Sequence, residues 1–175
     1  MNNLIKVFLV IFISFLSSPS YSETVSWDEM IENPSDGLVY KKFSSEPFTG
    51  FVTKKDILGF ITKGSYKNGK KHGLWETYYE NGLLKNKANY RDGKNDGTWE
   101  VYSYDGSLSV KGIFKDGKKD GLWKTFFQNG QVESKETYKD GKRVGFWEYY
   151  YKNGKLWKQQ TYTDGTDGFE EKYNR

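Results

Sequence analysis

The chain has 175 residues, 35% of them hydrophobic and 18% aromatic, with 19 glycines against three prolines and a formal net charge of +4. That length holds one domain rather than two ordinary ones, and the scarcity of aliphatic clusters argues against a compact α/β enzyme. The absence of cysteine excludes a disulfide framework and any thiolate metal site.

Residues 1–22 read as a secretory signal peptide. Lys6 precedes an apolar run from Val7 to Leu16, too short to cross a bilayer comfortably, and Ser20 and Ser22 occupy the −3 and −1 positions of a cleavage after Ser22. The product, residues 23–175, is then expected outside the cytoplasm, periplasmic or secreted. This argues against a nucleic-acid partner despite the basic, aromatic composition. Residues 23–37 form a cap segment, where Ser26 and Glu29 have capping-box spacing and Pro34 stops the run, so a short helix is expected. Residues 38–65 read as a degenerate first repeat, its strand opened by "PFTGFV".

From Tyr66 to Thr161 the chain repeats itself four times. Trp75, Trp99, Trp123 and Trp147 are 24 residues apart, each two places after a glycine (Gly73, Gly97, Gly121, Gly145). Tyr66, Tyr90, Phe114, Tyr138 and Tyr162 keep the same step, as do the turn pairs Asn81-Gly82, Asp105-Gly106, Asn129-Gly130 and Asn153-Gly154. Residues 162–175 are a truncated capping repeat, with Glu170 in the tryptophan position, as suits a solvent-facing last strand.

Each repeat predicts a β-hairpin. Asn-Gly as a two-residue loop sets Tyr79 opposite Leu84, Thr77 opposite Asn86 and Trp75 opposite Ala88. The tryptophans, the Leu84, Leu108, Val132 and Leu156 column, and the Tyr66 column then share one packed face, each tryptophan stacking on its copy in the next repeat. The other face pairs Glu76 with Lys87 and Glu100 with Lys111, and breaks the rule where Lys124 faces Lys135. The glycine before each tryptophan ends the linking loop where the backbone turns sharply. The expected fold is all-β: an elongated, twisted antiparallel sheet of about ten strands, built of 24-residue hairpin repeats, with a short N-terminal capping helix.

The pattern "YKDGKxxGxWxxYYxNGxL" resembles the bacterial variant of the MORN repeat. It is most similar to the YwqK-family toxin–antitoxin antitoxins, which often open with an element like Pro47–Gly50. The resemblance covers about residues 40–175. It implies a hairpin-repeat sheet that binds another protein, with no catalysis. The leader departs from a cytoplasmic antitoxin and points to envelope immunity or scaffolding.

Little else carries chemistry. His72 is the only histidine and has no partner of metal-ligand type; lysines interleave the loop acids Asp92, Asp96, Asp116 and Asp120 at no calcium-loop spacing. No enzyme activity, cofactor or metal is expected. Two repeated surfaces remain. Lys70, Lys94, Lys118 and Lys142 form a basic edge suited to anionic lipid or glycan. Tyr78, Tyr102, Phe126 and Tyr150 form an aromatic row on the face opposite Trp75, Trp99, Trp123 and Trp147, suited to a protein or a polysaccharide chain. A protein-binding module, antitoxin-like or an envelope scaffold, is the leading expectation, and an envelope membrane- or polysaccharide-binding module the alternative. The sequence leaves the oligomeric state open.

Overall fold

A computed structural model describes residues 24–172; the expected signal peptide lies outside them. The repeats form one sheet of 14 strands in which hairpin follows hairpin, from Gly50–Lys55 and Ile61–Lys67 through to Leu156–Thr163 and Thr166–Lys172. One pairing is parallel: Thr24–Ser26 lies on Gly50–Lys55 with Val25 opposite Val52, so the sheet is mixed. Among the described residues no helix is long and apolar enough to cross a membrane.

The register within the repeats is as expected at its centre, with Trp75 opposite Ala88 and Thr77 opposite Asn86. The turns exchange roles, however. The tight two-residue loops are at the other end of each hairpin pair. Lys67 pairs with Lys70 across Asn68-Gly69, and Arg91 with Lys94 across Asp92-Gly93. Both loop residues there have positive φ (50° and 85° at Asp92 and Gly93), the requirement of a type I′ turn. At Asn81-Gly82 only the glycine is left-handed. The Tyr79 N–H donates to the Leu83 carbonyl (2.8 Å) and the Gly82 N–H to the Tyr79 carbonyl (3.0 Å), closing a three-residue loop. Asn81 is there for its amide, which accepts the Leu83 N–H (3.0 Å) and donates to the Tyr104 carbonyl in the next repeat (3.1 Å). A bulge at Lys85 then restores the register.

That bulge moves one column. Leu84 pairs with Tyr78, not Tyr79, and Leu108, Val132 and Leu156 pair likewise with Tyr102, Phe126 and Tyr150. Directly paired residues share a side, so the aliphatic column lies on the back of the sheet, away from the tryptophans. The glycine before each tryptophan is itself in a bulge. Lys63 pairs with Glu76 and Ser65 with His72, so the later strand carries two extra residues around Gly73 (φ +73°).

The cap and the degenerate repeat after it together supply the aliphatic part of the core. Val25, Met30, Val39, Phe48 and Val52 bury against Tyr66 and Trp75 at the start of the repeats. The helix expected from Ser26 and Glu29 is a single 3-10 turn, Trp27–Glu29, and Ser26 makes no side-chain cap bond; the flanking residues run into short strands instead. At the far end Glu170 pairs with Gln160 at the tryptophan position, as its substitution suggested, and is held by Lys158 (2.8 Å) and Lys172 (3.0 Å). Charges on a last strand discourage further pairing.

Candidate functional site

The front of the sheet is a ladder of edge-to-face and, at its far end, tilted aromatic rings. Tyr66, Trp75 and Tyr90 follow one another at 5.1 and 6.2 Å; Trp99, Phe114, Trp123, Tyr138, Trp147 and Tyr162 continue at 4.7 to 6.3 Å. Each tryptophan therefore packs on the intervening Tyr or Phe, and not on its copy as expected. Trp75 and Trp123 lie across Gly64 and Gly112, where a Cβ would sit 2.2 Å from the indole. Their indole N–H groups donate to the Ser65 and Ile113 carbonyls at 3.0 and 3.1 Å, leaving neither indole donor unpaired. A cation covers each step: Lys71 is 4.4 Å from the Trp75 ring, Lys119 4.1 Å from Trp123, and Arg143 4.9 Å from Trp147. Burial pushes the Lys71 ammonium down from its ordinary pKa. The second repeat is the exception. Asn95 holds the place of the cation, the ladder skips from Tyr90 to Trp99, and Trp99 is only half-buried.

The back of the sheet is different. Tyr78, Tyr102, Phe126 and Tyr150 lie there as expected, but half-buried rather than exposed, each beside its paired aliphatic residue. Three of them are anchored: Tyr78 donates to Glu76 (2.9 Å), Tyr102 to Glu100 (2.9 Å) and Tyr150 to Glu148 (2.7 Å). Where the glutamate becomes Lys124, the tyrosine becomes Phe126, which needs no acceptor.

Beside this row runs a line of charges in continuous register: Lys63, Glu76, Lys87, Glu100, Lys111, Lys124, Lys135, Glu148. Signs alternate until Lys124, which has lysines on both sides. Lys111 is satisfied by Glu100 (2.9 Å), and Lys135 by Glu148 (3.1 Å) and the Tyr150 hydroxyl (2.7 Å). These contacts hold the Glu100 and Glu148 carboxyls below their ordinary pKa, through the Lys111 hydrogen bond and the Tyr150 hydroxyl respectively. Among the described residues, Lys124 has no anion. The sequence disclosed the clash with Lys135; the second, with Lys111, needed the pairing between neighbouring hairpins.

The basic edge is also a stack of turns. The N–H of each turn glycine, Gly93, Gly117, Gly141 and Gly165, donates to a carbonyl 22 residues earlier at 2.8–2.9 Å. The stems of Lys70, Lys94, Lys118 and Lys142 lie against those same glycines, their ends exposed, and Lys142 pairs with Asp164 (2.8 Å). The loop acids stitch repeats together: Asp96 accepts the Asp116 N–H and Asp120 the Asp140 N–H, both at 3.1 Å, and each carboxyl is held below its ordinary pKa chiefly by that bond. His72, at the equivalent place, lies 3.8 Å from Asp92.

The MORN repeat variant model matches residues 71–92, 119–140 and 143–164, each segment one hairpin of the ladder. The repeat it passes over is the second, where Asn95 replaces the cation. No curated protein matches the chain significantly. Three matched repeats, with the same 24-residue hairpin continuing between them, support a MORN-repeat protein.

Proposed function

We propose that the chain is a non-enzymatic, exported protein-binding module, of the immunity or envelope-scaffold kind, whose partner docks on the back of the sheet. The observation that carries this reading is Lys124. Like charges side by side on a sheet destabilise it, and a glutamate there would restore an unbroken alternation. A partner carboxylate set between Lys111 and Lys135 completes the line, with neighbouring apolar side chains against Phe126, Val132 and Leu108. On the front, Trp75, Trp123 and Trp147 are already covered by their own lysines and arginine, whereas the back row is only half-buried.

Capture from native envelope extract by wild type, Lys124→Glu and Phe126→Ala tests it. Wild type is expected to retain one stoichiometric protein that both variants lose, while Lys124→Glu melts higher than wild type because it relieves the clash. Recovery of lipid or polysaccharide alone, lost on changing Lys94 and Lys118 to Glu, would instead place function on the basic edge.

A further inference from the structure

The sheet also carries a groove of about 860 Å³ between the third and fourth repeats, lined mainly by front-face residues and reaching Tyr150 of the back row. Its walls include Phe127, Tyr149, Tyr151 and Trp157, and Glu133 and Glu136 line it with them. The Trp157 ring stands 6.3 Å from Tyr149, edge-to-face, and 6.1 Å from Tyr151, tilted, and is 43% exposed. The composition is peculiar to this repeat. The positions of Tyr149 and Trp157 hold Thr77 and Lys85 in the first repeat, Val101 and Ser109 in the second, and Thr125 and Glu133 in the third.

The first repeat shows what such a place accepts. There Lys85, the counterpart of Trp157, lays its ammonium 4.0 Å from the Phe60 ring centroid and 5.7 Å from Tyr79, the counterpart of Tyr151. In the fourth repeat the lysine is replaced by a third ring, so aromatic walls remain without that cation. Of the cations nearby, Lys158 is 5.7 Å from the Tyr149 ring but held by Glu170 at 2.8 Å, and Lys152 lines the groove itself. Negative charge is present: Glu136 accepts from Ser134 (3.2 Å) and Tyr138 (3.1 Å), and Glu133 has no partner among the described residues. Burial, with the charge of Glu136 second, pushes the Tyr149 hydroxyl up to about 12, so its ring stays neutral.

We propose that this groove receives the ammonium group of a lysine side chain presented by a partner protein, its stem against Trp157 and Tyr151 and its charge toward Glu133 and Glu136. Aromatic faces attract such a cation, and desolvation between rings strengthens the attraction. A neutral sugar could stack on the same rings but would leave the carboxylates without a counter-charge. The site does not depend on the back-face reading.

The test titrates the full chain with the capped tripeptide acetyl-Gly-Lys-Gly-amide, following the indole N–H resonance of Trp157, identified by its loss in Trp157→Phe. The expected result is a saturable shift of Trp157 with the Trp75, Trp123 and Trp147 resonances unmoved. Acetylation of the lysine ammonium or Glu133→Gln should weaken binding about tenfold. No shift at any concentration, equal binding of the acetylated peptide, or a shift with maltohexaose but not the lysine peptide would overturn the proposal. Lys124→Glu, which disables the back face, should leave this titration unchanged.

Discussion

The second repeat and the third are built on the same plan and end differently. In the third, Trp123 lies across Gly112 under Lys119 and is 5% exposed. In the second, Trp99 pairs with Ala88 instead of a glycine, finds Asn95 where the cation should be, and is only half-buried. Two small substitutions thus separate a closed step of the ladder from an open one. A repeat sheet has no second layer to bury its aromatics, so each ring depends on its own repeat and on the next. The cover of the front face is local, and it can be lost one repeat at a time.

The largest expected effect separates the two tryptophans. Trp123→Ala removes a buried ring and its bond to Ile113, and should cost about 3–5 kcal/mol in chemical denaturation. Trp99→Ala should cost about 1–2 kcal/mol, since less surface leaves water there. Equal losses would dissolve the distinction. Next comes the floor of the step. Gly112→Ala drives a methyl into the Trp123 indole and should destabilise by about 1–3 kcal/mol, read from the same denaturation curves.

The smallest effect concerns the stitching between repeats. Asp96 and Asp120 are held below the ordinary carboxylate value by backbone N–H groups, and Asp105 down to about 2 by the Ser107 hydroxyl and Gln128. Because the folded state favours their ionised forms, their contribution is whole above the ordinary value of 3.8 and is lost as pH falls from there toward about 2. Melting temperature followed through that window should fall, and Asp105→Asn should flatten part of the fall.

The period was fully legible in the sequence, because glycine and tryptophan recur at fixed places that only a repeated backbone requires. Which turn is tight was not. Asn81-Gly82 and Asp92-Gly93 carry the same local signal, and only the left-handed φ of Asp92 distinguishes them. The Lys85 bulge was equally hidden, since a bulge leaves no residue signature when its occupants are Lys85, Ser109, Glu133 and Trp157. It sent the leucine column to the back and so assembled the apolar row beside Lys124. The cation column of Lys71, Asn95, Lys119 and Arg143 stands at the same 24-residue step. Its meaning emerged only when the bulge at Gly73 and its copies brought it over the rings. The groove at Trp157 was hidden for a similar reason, although two aromatics, Tyr149 and Trp157, stand where the other repeats carry Thr, Val, Lys, Ser or Glu.

The most direct measurement is a reciprocal exchange of the covering residue, Asn95→Lys and Lys119→Asn, followed by thermal unfolding. If a cation over the indole closes each step, the first should raise stability by about 0.5–1 kcal/mol and the second lower it by a similar amount. Acrylamide quenching of tryptophan should fall in one and rise in the other. Shifts of the same sign, or none, would contradict the account.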